Sequence, residues 1–342
     1  MALGFAYLSG EHPVLPFEEL RGCLEAEGVR FRELLRLDQV ILLDVDDLDG
    51  LARAVGRSSF VKEGGELLAV ADLGDDKDVR AGLKKLGSRG LTSVQVRVER
   101  VRGSLTPAEA IGMQRSLVKL TAESGIKIDQ LSGNLVKAYV TEGAVVLGLV
   151  IAKRDLGDTR ARSPPNKPFW RSGELDLLLS RAFVNMSRLR KGGLFLDPFC
   201  GTGTIAIEAY ILGASRSVCF DIDPEMVSGA HTNSRRLGVQ LAIVQENSEF
   251  MPLPGNSVDS IATDPPYGRS TRAPGGYEAI VRAFLREARR VLRTGSYIVY
   301  AGPAEERPFR LAEEEGLEVI ERLDQLVHST LTRQIVVAKK TA

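Results

Sequence analysis

The sequence predicts an α/β protein. Its C-terminal half reads as a doubly wound, mostly parallel sheet with an antiparallel hairpin at one edge, and two small α+β units precede it. Three observations predict this. From residue 173 onward, short apolar strands alternate regularly with helical patterns, which is the mark of β-α-β units. Before residue 153, strands and helices alternate in two shorter cycles. Residues 153–172 break both patterns with prolines and basic residues.

The elements follow in order. "LGFAYLS" (3–9) reads as a strand and "PFEELRGCLEAEG" (16–28) as a helix closed by Gly28. "VRFRELLRL" and "QVILLDV" form a strand pair, and "DLDGLARAVGR" a helix whose neighbouring aspartates lack the spacing of a calcium loop. The second cycle has strands at "ELLAVADL" and "TSVQVRVERV" around a helix at "DVRAGLKKLG". The helix from Pro107 onward has Thr106 as N-cap and Glu109 close behind. "NLVKAYVT" and "AVVLGLVIA" then flank a tight turn at Glu142–Gly143. The division between the two units falls near residue 60. Residues 153–172 hold Pro164, Pro165, Pro168 and the single tryptophan, with six basic residues against two acidic. A helix over 174–190 leads into the alternating half, which ends in the strands "LEVIERLDQLVH" and "TLTRQIVVAKK".

Composition narrows the function classes. At 342 residues, with 44% hydrophobic and 26% charged residues, the chain is a globular protein of two or three domains. Lys+Arg and Asp+Glu both number 45, so a nucleic-acid partner has to rest on local basic surface. Cys23, Cys200 and Cys219 form no C-x-x-C, which argues against a zinc ribbon or disulfide framework and suits the cytoplasm. His12, His231 and His328 are equally scattered, so no metal is expected. There is no signal-peptide pattern and no 18-residue apolar run, so no membrane partner is expected; nothing suggests an obligate dimer, and a monomer is expected.

Four strand ends carry chemistry. In "FLDPFCGTGTIAIEAY" a strand ends at Asp197, and Gly201 and Gly203 turn the chain into a helix near Thr204. Glycine lets backbone approach a ligand. A carboxylate here repels a pyrophosphate and suits a cationic group such as the ammonium of a methionine moiety; alternatively, Asp197 caps the helix. Cys200 fills a small space. At the next strand end, Asp221 is placed for two ribose hydroxyls, and Asp223 before Pro224 is a helix N-cap. At the third, the Asn247 amide can read an adenine edge, with ordinary loop chemistry as the alternative. The fourth strand ends in "TDPPYG" (263–268). An exocyclic base amine is a poor nucleophile. Hydrogen bonds to the Asp264 carboxylate and the Pro265 carbonyl would aim its lone pair and stabilise the developing charge. Pro265 and Pro266 stiffen the loop, and Tyr267 would stack on a base taken out of its helix.

"DPFCGTGT", "FDID" and "TDPPYG", in this order, resemble the S-adenosylmethionine-dependent amino-methyltransferases. With "PFWRSGELDLLLSRAFVNMSR" and the two-part front half, the whole chain resembles the archaeal-type THUMP-containing tRNA guanine(10)-N2 methyl/dimethyltransferases. The resemblance implies a ferredoxin-like unit at 1–60 and a THUMP RNA-binding domain at 61–152. A basic proline-rich linker at 153–172 and a Rossmann-like methyltransferase domain at 173–342 follow. It implies S-adenosyl-L-methionine as cofactor, tRNA as partner, and guanine N2 methylated once and then again. The catalytic set is Asp264, Pro265, Pro266 and Tyr267. The cofactor set is Asp197, Phe199, Gly201, Gly203, Thr204, Asp221, Ile222, Asn247, Ser248, Phe169 and Trp170, the last two within a segment that covers the cofactor.

Arg97, Arg102, Arg115, Lys119 and Lys127 in the front half, with Arg160, Arg162 and Lys167 in the linker, would form one RNA-binding face. Lys137 lies close to the front-half residues, and Arg188, Arg190 and Lys191 could extend the face or complement the helix C-terminal dipole. Two rivals remain: a methyltransferase for another exocyclic amine (another tRNA or rRNA guanine N2, or DNA adenine N6), and a non-catalytic RNA-binding protein with a vestigial fold. The second would be expected to have lost Asp264, Tyr267 or the glycine turn, and all are intact.

Overall fold

The computed structural model describes residues 2–164, 166–267 and 276–342. Pro165 of the proline-rich segment and Gly268 of the "TDPPYG" loop lie outside the described residues. The chain divides into two compact units. One comprises the chain up to Pro16 with Glu27–Asp155, the other Phe17–Ala26 with Leu156–Ala342.

In the first unit, β1 (Ala2–Leu8), β2 (Phe31–Leu37), β3 (Val40–Val45), β4 (Val61–Asp72), β5 (Ser93–Arg100), β6 (Lys127–Ile128), β7 (Leu135–Thr141) and β8 (Ala144–Lys153) form one sheet. Their order is β2-β3-β1-β4-β8-β7-β5-β6. Residue 60 is followed directly by β4, which pairs with β1 on one side and β8 on the other. This strand starts five residues before "ELLAVADL", because Gly64 and Gly65 belong to it. A Cβ on Gly65 would run into the Leu149 carbonyl of β8, so glycine permits the close approach there. Helices α2 (Leu48–Arg57), α3 (Asp76–Ser88) and α4 (Pro107–Glu123) belong to this unit. Thr106 and Glu109 close a capping box on α4. Leu83, Leu86, Leu117 and Leu120 pack the second and third of these helices onto Val94, Val96 and Val136.

Helix α1 (Leu15–Ala26) contributes Phe17–Ala26 to the second unit. Polar contacts explain this: Asn185 donates to Glu19 Oε1 at 2.7 Å, and the buried Arg188 bonds Glu18 at 2.5 Å and Glu25 at 3.2 Å. Arg188 is therefore no part of a basic surface.

The second unit carries the seven-stranded sheet β11-β10-β9-β12-β13-β15-β14. The strands are β9 (Leu194–Asp197), β10 (Arg216–Asp221), β11 (Leu241–Gln245), β12 (Val258–Thr263), β13 (Leu292–Pro303), β14 (Glu318–His328) and β15 (Leu331–Lys339). The first five run parallel, while β15 and β14 add an antiparallel edge. Helices α5 (Thr159–Arg162), α6 (Leu177–Met186), α7 (Thr204–Ile211), α8 (Pro224–Leu237), α9 (Gly276–Val291) and α10 (Pro308–Glu314) complete the unit. α6 is shorter than the 174–190 expected: Asp176 caps its start, and Arg188 turns the chain with φ 58° just beyond its end. Leu196, Ile261, Phe284 and Tyr300 anchor the core beneath the site. Chain order reverses between β9 and β12, which opens a crevice at the carboxyl ends of these strands.

Candidate active site

Asp197 ends β9 at that crevice and is fully buried. Its Oδ1 accepts from the Thr263 hydroxyl at 2.6 Å and from Phe199 N at 3.3 Å. Its Oδ2 is buried with no hydrogen-bond partner among the described residues. Burial pushes the carboxyl up to about 7, the two hydrogen bonds oppose this, and the Asp221 and Asp264 charges add to it. Asp197 does not cap α7; the N-cap is Gly203, without a side-chain bond. Gly203 has φ 86°, and a Cβ there would sit 3.3 Å from Ala230, so the turn requires glycine. An orphaned buried carboxylate oxygen beside such a turn fits a ligand with a cationic end.

Asp221 is tied to the same turn. Its Oδ2 accepts from Gly201 N at 2.8 Å and its Oδ1 from Asp223 N at 2.9 Å. Each oxygen keeps a second lone pair for a hydroxyl donor. Asp223 caps α8, as the sequence predicts. Ile222 is 67% exposed at the rim, and Ser248 is buried. Asn247 Oδ1 accepts from Glu249 N at 3.0 Å, which is the loop chemistry of the alternative reading. Cys200 packs with Ala206, Cys219 and Ala230.

The proline-rich segment is fastened to the glycine turn by side chains. Lys167 is buried, and its Nζ donates to Thr204 Oγ1 at 2.6 Å and Thr202 Oγ1 at 2.8 Å, with Glu174 Oε1 at 2.9 Å. Burial lowers the lysine's pKa and Glu174 opposes this. Asn233 of α8 accepts from Phe169 N at 3.0 Å and donates to the carbonyls of Phe169 at 2.8 Å and Thr202 at 2.9 Å. Phe169 sits against Gly229, under the Arg171 guanidinium, and Trp170 is 46% exposed. Phe199 packs edge-on to Phe284 at 5.2 Å. Sequence reasoning missed Lys167 and Asn233 in this structural role.

Asp264 follows β12 directly and is half-buried. Tyr267 donates its hydroxyl proton to Asp264 Oδ1 at 2.5 Å and accepts from Arg333 Nε at 2.8 Å. Arg333 Nη2 lies 3.8 Å from Asp264 Oδ2. Burial raises the Asp264 pKa, while Arg333 and the tyrosine bond oppose it. Burial and the Asp264 charge also raise the Tyr267 pKa, so the phenol stays protonated. Sequence reasoning missed Arg333, which stands between Thr332 and Gln334 in the polar start of the final strand and carries no local signal.

The expected basic face divides. Arg97, Arg115, Lys127 and Arg160 are exposed. Arg102 is exposed but 3.4 Å from Asp38, and Lys119 is 3.8 Å from Glu123. Arg162 and Lys167 have to be withdrawn from that face. Arg162 is buried, donating to Glu208 Oε1 at 2.6 Å and to the carbonyls of Leu156 and Asp158. Lys137 is held by Glu63 at 2.5 Å and Glu99 at 3.1 Å. Among the described residues, no group of three or more His, Cys, Asp or Glu could hold a metal ion, and no helix is long and apolar enough to cross a membrane.

Comparison with known proteins places the chain in a family. Residues 164–334 match the family described as RMKL-like, methyltransferase domain. A tRNA (guanine(10)-N2)-dimethyltransferase of Methanothermobacter thermautotrophicus is 30% identical over 340 residues, covering 97% of this chain and 98% of the relative. A protein of the same description from Methanocaldococcus jannaschii is 28% identical over 366 residues, covering 97% and 98%. The solved structure of SMU.472, in complex with SAH, shares the fold with a TM-score of 0.51. It is 13% identical and covers 100% of this chain and 99% of its own.

Proposed function

The chain belongs to the family of RMKL-like methyltransferases that includes the tRNA (guanine(10)-N2)-dimethyltransferases, and from that premise we propose its substrate, cofactor and catalytic residues. It methylates the exocyclic N2 amine of guanine 10 in tRNA, adding one methyl group and then a second. The observation that carries the residue assignment is the half-buried Asp264, fixed by the Tyr267 hydroxyl at the mouth of the switch-point crevice.

S-adenosylmethionine, when bound, supplies an electrophilic methyl group on a sulfonium. Asp197 would hold its ammonium through the unpartnered Oδ2, and Asp221 its ribose hydroxyls. Gly201, Gly203 and Thr204 would line the near wall, with Phe199, Ile222, Asn247 and Ser248 around the adenosine. Phe169 and Trp170 would cover the opening and limit water.

Asp264 and the Pro265 carbonyl accept the two hydrogens of the guanine N2 amine. The nitrogen becomes pyramidal, and its lone pair points at the methyl group. As the N–C bond forms, the bond from the methyl group to sulfur would break with its electron pair left on sulfur; positive charge builds on nitrogen, and the Asp264 carboxylate stabilises it. The N2 proton then passes to Asp264. Pro266 keeps the loop stiff, and Tyr267, fixed at its hydroxyl, offers its ring to the flipped base.

Residues 61–152 are proposed as the THUMP domain that grips the RNA, with the ferredoxin-like unit 1–60 ahead and 153–172 joining them to 173–342. Arg97, Arg102, Arg115, Lys119, Lys127 and Arg160 supply the phosphate contacts.

Methyl transfer from labelled S-adenosylmethionine to an unmodified tRNA transcript tests this, with nucleoside analysis and Asp264→Ala alongside. Label in N2-methylguanosine and N2,N2-dimethylguanosine, lost in the variant, supports the reading. Label in another nucleoside moves the target to another exocyclic amine. Tight cofactor binding without transfer to any RNA would favour a vestigial binding protein.

A further inference from the structure

On the reading of Asp264 as the acceptor of the amine's hydrogens, we propose that Arg333 is a positioning residue of the catalytic loop. It anchors Tyr267 by the hydroxyl and sets a positive charge beside the Asp264 carboxylate.

Arg333 comes from the antiparallel edge, far from the loop in sequence. β15 pairs with β13 so that Arg333 faces Pro303, and β13 in turn neighbours β12, which Asp264 follows. The side chain is buried, and its donors are divided. Nε goes to the Tyr267 hydroxyl at 2.8 Å, Nη1 to Gln325 Oε1 at 3.2 Å, and Nη2 stands 3.8 Å from Asp264 Oδ2. The phenol thus accepts from Arg333 and donates to Asp264, so both its rotation about the C–O bond and the direction of the hydrogen bonds are set. Tyr277 packs edge-on to the Tyr267 ring at 6.5 Å.

Packing alone does not call for a guanidinium here. A buried arginine carries a desolvation cost that an apolar side chain of similar volume would avoid. The charge has a use in what surrounds Asp264. Tyr267 faces it from its own loop, Arg333 from β15 and Asp197 from β9. Tyr277 of α9 packs on Tyr267, and Asp176 at the start of α6 acts on Arg333. Burial drives Asp264 toward its protonated form, and of these neighbours Arg333 supplies the opposing charge. A protonated Asp264 would present a donor to an amine that needs an acceptor.

The test is the rate of methyl transfer at saturating cofactor and tRNA from pH 6 to 9, for wild type, Arg333→Lys and Arg333→Met. In Arg333→Met the acid limb moves to higher pH, because the opposing charge beside Asp264 is gone. Its deficit against wild type is therefore larger at pH 6.5 than at pH 8.5. Arg333→Lys keeps the charge and the wild-type limb, with a lower plateau because the divided hydrogen bonds are lost. A deficit equal at every pH, or no deficit in Arg333→Met, would overturn the proposal.

A melting cycle at pH 8 decides the same point without catalysis. Arg333→Met should lower Tm more in the wild-type background than beside Asp264→Asn. Equal losses in both backgrounds would show that the two charges are not coupled. If wild-type protein transferred no methyl group to tRNA, the substrate reading would fail, while the melting cycle would still rule on Arg333.

Discussion

Arg162 and Lys167 stand in a polar, proline-broken stretch, and Arg115 and Lys119 stand at i and i+4 on a helix; in the sequence all four look equally free to meet a phosphate. In the fold the first two are buried. Arg162 sits on a fully buried Glu208, and Lys167 joins the glycine turn through Thr202 and Thr204. The second two lie on the exposed face of α4, with only the 3.8 Å pair between Lys119 and Glu123. Charge type and local composition do not separate these cases. What separates them is whether a carboxylate or hydroxyl from another element arrives, and that is decided by tertiary pairing.

Arg162→Met should cost the most stability. It leaves Glu208 with Arg181 at 3.5 Å as its remaining cation. Removing one partner of a buried pair costs about 3–5 kcal/mol. For a unit of this size that is a fall in Tm of about 10 °C. Calorimetry on the full chain checks it; an unchanged Tm with weakened tRNA binding would return Arg162 to the RNA face.

A smaller effect is expected from the buried acid across the glycine turn from Lys167. Asp197 has its pKa raised to about 7 from 3.8 in the unfolded chain. The folded state therefore holds the proton more tightly. The cost of burying this charge is absent below about pH 4, grows as pH rises, and is complete above about pH 7. Only the ionised form attracts an ammonium, so cofactor affinity should weaken about eightfold from pH 7.5 to pH 6. Asp197→Asn should bind weakly at both values. Titration calorimetry at the two pH values tests this, and a wild-type affinity independent of pH would sink it.

The smallest effect belongs to the exposed pair. Arg115→Ala and Lys119→Ala should shift stability by no more than about 0.5 kcal/mol. Each should weaken tRNA binding several-fold and make its salt dependence shallower by about one counterion. Binding isotherms at two salt concentrations would show it, and an unchanged slope would take these residues off the RNA surface.

Much of the fold was legible because its signals are local. Thr106 with Glu109, Asp223 before Pro224, and the Glu142–Gly143 turn each specify backbone within a few residues, and each is found as expected. That β9, β10, β11 and β12 end at one rim was legible for the same reason, since a parallel sheet brings successive strand ends together. The partners of the site residues were not. Arg333 lies 66 positions from Tyr267, and Asn233 lies 64 from Phe169. No periodicity links residues that meet only when strands pair and helices dock. The early start of β4 was hidden by Gly64–Gly65, since glycine lowers strand propensity although here it permits close approach to β8.

Asp264→Asn removes the charge and keeps the shape of the group proposed to hold a guanine N2 amine during methyl transfer. Single-turnover transfer to unmodified tRNA, with cofactor and tRNA affinities measured on the same preparation, separates chemistry from binding. Transfer to N2 of guanine 10 should fall by at least about 100-fold. Both affinities should stay within a few-fold of wild type. Undiminished transfer in the variant, or methyl groups at a position without an exocyclic amine, would contradict the account.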